Sequence, residues 1–243
     1  MCYGMKYDAL ESDPRLENKR IDLVKDAVQI LDQCTMIRYD PRSENLASTD
    51  MGRIASHYYL KYGTIEAFNT MLSSHMTDEE SLHVMCSSAE FDQLKLRPEE
   101  LSEMDKLKKQ SFIKCKVPLE DTAGKVNILL QGYLNQCNVS SFTLQSDMNY
   151  IAQNAGRIAR SLFEICLKRG WSTMTNHFLS LAKSIDQRMK PNQSPLRQFN
   201  ELPFEVLRKL EDSDADIDRL IDLEAHEIGG LLKNIRIIFQ LLF

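Results

Sequence analysis

Apolar residues at positions 21, 24, 28 and 31 run through the segment IDLVKDAVQILDQ. This is the spacing of one face of an amphipathic helix over Ile21–Gln33. Two short extended runs follow, Thr35–Tyr39 and Leu46–Thr49, on either side of Asp40-Pro41-Arg42-Ser43-Glu44-Asn45. Turn-forming residues between two such runs predict a small hairpin, the one good strand signal in the chain. A helix closed by a small hairpin is the pattern at the end of a winged-helix unit.

Everything after the hairpin reads as helix. Thr49 or Asp50 can cap a helix through Leu60, and Thr64 another through Leu72. Thr77-Asp78-Glu79-Glu80 has the form of a capping box opening a helix to about Ser88. Pro98 suits a first helical position, with Glu99 and Glu100 favourable beside it and Lys106, Lys108 and Lys109 closing the helix. A loop over 111–123 leads to a helix over Lys125–Cys137. The best-defined element is Asp147–Arg169, with Ser146 as its capping candidate and Gly170 placed to terminate it. At 1.5 Å per residue it would span roughly 34 Å. A helix over Ser172–Met189 precedes Pro191 and Pro195, and a boundary is expected near Phe199. Short helices are expected from Pro203 to Leu210, over 217–222 and over 225–233.

Of the 243 residues, 43% are hydrophobic and 27% charged, as in an ordinary globular chain. No apolar run approaches the roughly 18 residues that would span a membrane. Cysteines at 2, 34, 86, 115, 137 and 166 form no Cys-x-x-Cys pair, so free thiols, and a nuclear or cytoplasmic location, are expected. Net charge is −5, but it is unevenly spread. Residues 106–199 carry 14 basic and 5 acidic side chains, between acidic flanks at 78–105 and 200–230. Such a block is a candidate for phosphate binding, and a solvated face paired with the acidic flanks is the alternative.

Catalytic chemistry is missing from the sequence. No G-x-x-x-x-G-K-[ST] loop occurs, and Asp78-Glu79-Glu80-Ser81 lacks the last residue of a helicase acidic box, so phosphoryl transfer has no site. His226-Glu227 has no second histidine four residues on. Binding chemistry is better represented. On the long helix Met148, Ile151, Ala155, Ile158, Leu162 and Ile165 form an apolar stripe, while Gln153, Asn154, Arg157, Arg160, Ser161 and Glu164 lie largely off it. Amide and guanidinium groups of this kind hydrogen-bond bases and phosphates, and Tyr150 could stack on a base.

Five blocks then occur in order: Gly52-Arg53-Ile54-Ala55-Ser56-His57-Tyr58-Tyr59, Lys125-Val126-Asn127-Ile128-Leu129-Leu130-Gln131, Gln153-Asn154-Ala155-Gly156-Arg157, Phe163-Glu164-Ile165-Cys166-Leu167-Lys168-Arg169-Gly170-Trp171 and Pro195-Leu196-Arg197-Gln198-Phe199. They resemble the Sec sixty-three homology region of Ski-two-like RNA helicases from about Tyr3 to Asn234. Leu207-Arg208-Lys209-Leu210-Glu211 and Glu227-Ile228-Gly229 favour the branch found in the activating signal cointegrator complex over the spliceosomal branch.

The resemblance implies a mainly α fold in three modules. These are the C-terminal part of a winged helix with its small hairpin (1–52), a helical bundle around a long central ratchet helix (53–199), and a truncated helix-loop-helix unit (200–243). It implies single-stranded RNA or DNA as ligand, with Asn154 and Arg157 facing the strand. Arg160, Ser161 and Glu164 continue that face by helical geometry. It also implies helicase motor domains and other subunits as partners, with ATP and Mg in the parent motors and no cofactor in this chain. Arg157→Ala is expected to weaken unwinding far more than folding. Two departures stand out: Lys190 replaces the tryptophan usual after Arg188-Met189, and the apolar tail 235–243 has no counterpart. A protein-interaction scaffold without nucleic-acid contact is the rival reading. A third class, the endoplasmic-reticulum translocation protein sharing this homology, requires membrane spans.

Overall fold

The first helix, α1 (Glu17–Gln33), buries none of its side chains. The structure is a computed structural model that describes residues 11–191, 193–199, 202–213 and 217–232; the tail 235–243 lies outside them. The stripe read from the sequence forms, but it faces solvent, with Ile21 and Val24 51% and 60% exposed. Tyr39, Glu44 and Leu46 of the hairpin line an open groove along it. The hairpin pairs β1 (Ile37–Asp40) with β2 (Asn45–Ser48) antiparallel, Tyr39 opposite Leu46. Two four-residue strands are too short to cover a 17-residue helix.

Thr49 joins the hairpin to α2 (Asp50–His57). Its hydroxyl accepts from the Gly52 N–H at 3.0 Å and donates to the Met36 carbonyl at 2.9 Å. Here a side chain is impossible at residue 52: a Cβ would sit 1.9 Å from the Met36 carbonyl oxygen. The helix α3 (Tyr62–Met71) starts two residues before the expected cap. Thr64 is buried within it and donates to the Glu90 carboxylate, which also accepts from the Lys61 N–H at 2.8 Å. Glu90 thus satisfies the start of α3 from far along the chain, a partner that local sequence does not reveal. The expected capping box at Thr77 and Glu80 opens α4 (Asp78–Cys86).

Pro98 begins a 3-10 turn, Pro98–Glu100, and α5 (Leu101–Lys109) follows it. Next come α6 (Thr122–Leu134), α7 (Phe142–Lys168) and α8 (Ser172–Asp186). With 27 residues, α7 is roughly 40 Å long. It begins at Phe142, so Ser146 is an exposed mid-helix residue and not a cap. It ends as expected: Gly170 takes φ +73°, and the Trp171 N–H donates to the Cys166 carbonyl at 3.0 Å. The whole apolar stripe of α7 is buried, packed chiefly on α8 and then on α6. A second, small cluster joins Val206 and Leu210 of α9 (Phe204–Asp212) to Leu196, Leu220 of α10 (Ile217–Asp222) and Ile228 of α11 (Ala225–Leu232).

A fully buried lysine sits where these helices meet. All three N–H bonds of Lys125 are used, to Glu100 Oε2 at 2.8 Å, Asp147 Oδ2 at 2.6 Å and the Lys95 carbonyl at 3.2 Å. Glu100 in turn accepts from the Arg97 N–H and guanidinium and from the Thr143 hydroxyl. Burial raises the Glu100 carboxyl, but the hydrogen bonds from Lys125, Arg97 and Thr143 outweigh it and hold it below the usual carboxylate range. Asp147, expected to complement the helix dipole, is instead a ligand of this ammonium group.

Lys125→Ala leaves Asp147 without a counter-charge and Glu100 with Arg97 alone, and should cost about 3–5 kcal/mol in urea denaturation. Because folding lowers the Glu100 titration, its contribution is full above the unfolded value of about 4.3 and is lost as pH falls through the native value. The stability gap between wild type and Glu100→Gln should therefore narrow between neutral pH and strong acid.

Candidate nucleic-acid interface

The polar face of α7 is where the sequence locates strand contacts. Tyr150 is half-buried, and its hydroxyl donates to the Glu90 carbonyl at 3.2 Å, so the ring is anchored to the bundle. Asn154 donates to the Tyr150 carbonyl at 2.8 Å, and its own oxygen accepts from Arg157 Nε and Nη2 at 3.2 and 2.7 Å. Arg157 Nη1 donates to the carbonyls of Tyr58 and Tyr59 at 2.6 and 2.8 Å. Those carbonyls close α2, so the guanidinium satisfies a helix C-terminus that has no intrahelical partner. Of its five N–H bonds, one on Nη2 remains for an outside ligand.

Arg160 is 58% exposed along its side chain and pairs with Asp186 of α8. Asp186 lies over Gly156, where a Cβ would approach its Oδ1 to 2.9 Å. Glu164 is half-buried beside Tyr58. Burial and then the Glu164 carboxylate push the Tyr58 phenol up. Ser161 corrects the sequence reading: it is fully buried, and its hydroxyl donates to the Ile158 carbonyl at 2.7 Å. Three residues after Ile158 and four before Ile165, it rides at the edge of the apolar stripe and falls on the packed side.

Two grooves flank Arg160 and Glu164. One, of about 520 Å³, is lined by Asp50, Arg53, Ile54, His57, Glu164 and Lys168. The other, of about 640 Å³, holds Arg160, Lys183 and Lys190 among serines and glutamines. The sequence reading missed Arg53, His57, Lys168 and Lys183 as site residues. Arg53 and His57 lay inside a family block, but only packing of α2 on α7 brings them to this face.

Much of the basic block is already engaged within the protein. Lys125 is buried, Lys116 pairs with Glu79, and Arg197 pairs with Glu211. Arg188 lies over the Tyr133 ring, 4.9 Å from its centroid. Lys190 sits 5.8 Å over the Phe112 ring. Among the described residues no group of three or more histidine, cysteine or acidic side chains could hold a metal ion, and no helix is long and apolar enough to cross a membrane. Cysteines 34, 86, 115, 137 and 166 are free thiols, and burial pushes Cys166 up to about 11.

Residues 48–241 match the family model described as the Sec63 Brl domain. Activating signal cointegrator 1 complex subunit 3 of Rattus norvegicus is 43% identical over 239 residues, 98% of this chain and 11% of that protein. The Gallus gallus protein of the same name is 44% identical over 239 residues, again 98% of this chain and 11% of its own length. The U5 small nuclear ribonucleoprotein 200 kDa helicase of Homo sapiens is 40% identical over 231 residues, 95% of this chain and 11% of that helicase. The chain thus spans about a tenth of the length of the curated relatives it matches.

Arg157→Ala releases two backbone carbonyls at the end of α2 and one side-chain amide. A cost to folding therefore accompanies the loss of unwinding expected of this variant. The variant should lose about 2–3 kcal/mol in urea denaturation, as for other charge-assisted hydrogen bonds. Arg157→Lys should recover only part, because an ammonium lacks the fork that spans both partners.

Proposed function

The chain belongs to the Sec63 Brl-domain family, and from that premise we propose that it is the strand-guiding module of an ATP-dependent RNA helicase. The motors of the parent protein, with ATP and Mg, drive translocation, and this module holds the single strand. The observation that carries the reading is the exposed Arg160 on α7, set between one groove bearing Arg53, His57 and Lys168 and another bearing Lys183 and Lys190. Cations along a helix face, interleaved with amides and hydroxyls, suit a flexible phosphate backbone without reading its sequence. Arg160 takes the phosphate, Arg157 adds its remaining N–H, Asn154 holds Arg157 in place, and Glu164 bounds the face. Tyr150 supports the helix from the packed side.

In this reading residues 1–52 end a winged helix, 53–199 form the guiding bundle and 200–243 a helix-loop-helix unit. The motor domains and further complex subunits are the partners, in nucleus or cytoplasm. The names of the relatives, one a complex subunit and one a ribonucleoprotein helicase, support this setting. The open apolar stripe of α1 favours a second reading, a scaffold that docks protein and touches no nucleic acid.

Fluorescence anisotropy of a labelled 20-nucleotide oligouridine against salt separates the two. The guiding role gives a steep dependence of log affinity on log salt, and Arg160→Ala and Lys183→Ala should each flatten the slope by about 0.7. Absent binding, or slopes that neither variant changes, would leave the scaffold.

A further inference from the structure

The chain leaves α2 through Tyr59, whose φ is +52°. A left-handed backbone is unfavourable for a bulky L-residue, and glycine would adopt it without strain. Tyr59 is kept there by its backbone. Its carbonyl accepts from Arg157 Nη1 at 2.8 Å and its N–H donates to the Ser56 carbonyl at 3.3 Å. The side chain adds nothing to the packing: it is 85% exposed, more than any other large apolar or aromatic side chain among the described residues. An aromatic ring thus stands where local energetics favour glycine and where the core asks for nothing.

Its position gives the ring a use. Its backbone is bound to Arg157, the guanidinium that α7 directs along its polar face. Phe142, nearly as exposed, opens α7 five residues ahead of Asp147 and has no such tie to that face. Tyr62, in the first turn of α3, adds a second half-exposed ring close by in sequence. The left-handed turn itself is how several of these helices end, at Thr35, Gln136 and Arg188 as well, so what sets Tyr59 apart is an almost fully exposed ring held beside the α7 face.

We propose that Tyr59 is a base-stacking platform for single-stranded RNA at the edge of the α7 face, with Arg157 setting its position through the backbone. An aromatic face accepts any base, so it grips the strand without sequence preference while the cations of the grooves take the phosphates. The proposal rests on the guiding role and adds to it a contact made with bases.

Tyr59→Gly is the informative variant, since glycine suits the left-handed turn. Its melting temperature should hold or rise while affinity for the 20-nucleotide oligouridine falls about tenfold. The salt slope should stay unchanged, because no phosphate contact is lost. Tyr59→Phe should bind as wild type does. On an abasic strand of equal length and charge, wild type and Tyr59→Gly should bind alike. Oligouridine binding that survives Tyr59→Gly overturns the stacking role alone. A loss that comes with a lowered melting temperature, or that is equal on the abasic strand, also overturns it and makes the ring structural. No oligouridine binding by wild type overturns the guiding role and the stacking with it.

Discussion

The ammonium group of Lys125, fully enclosed between three helical segments, is the constraint on which the bundle depends. Taking an amino group out of water is costly, and it is tolerated here because every N–H bond has an acceptor and two of those acceptors are carboxylates. The requirement acts on geometry. The 3-10 turn at Pro98–Glu100 must present Glu100, α6 must present Lys125, and α7 must start early enough to bring Asp147 within reach. Non-directional burial of leucines and isoleucines would allow these helices to slide. A charge with three directional bonds selects one register, and the apolar stripe of α7 then packs on α8 and α6 in that register.

A second cation-centred joint, the guanidinium of Arg157, does for α2 what the ammonium of Lys125 does for the bundle. It converts a polar helix face into a joint, closing the end of α2 and fixing the path of Tyr58 and Tyr59. Arg197 with Glu211 repeats the device where the smaller cluster begins. The family blocks around Lys125, Arg157 and Arg197 are therefore first of all architectural. What is left for a ligand is the remainder: Arg160, exposed although paired with Asp186, the lysines of the two grooves, and the exposed ring of Tyr59.

At the other extreme lies α1. Its apolar stripe is as regular as that of α7, yet no part of it is buried. Periodicity states that a helix has a face for burial, and it does not state what surface will cover it. The short hairpin lines that face without covering it, so the contrast between α1 and α7 is one of available partners, not of helix quality.

This division runs through the whole chain. Helices, hairpin, the capping box at Thr77 and the terminating Gly170 are decided by contacts within a few residues, so the sequence by itself determined them, along with the family. Helix starts set by distant partners were out of reach: Glu90 opens α3, and Asp147 lies inside α7 bound to Lys125. The candidate face was legible as a stripe of polar residues, but its contents were not. Ser161 turned inward, Arg157 was engaged by α2, Arg53, His57 and Lys183 arrived from α2 and α8, and Lys168 joined them from the end of α7. Local spacing specifies which side of a helix a residue occupies. Which neighbour then satisfies its hydrogen bonds is a matter of long-range packing, and only the tertiary structure decided that.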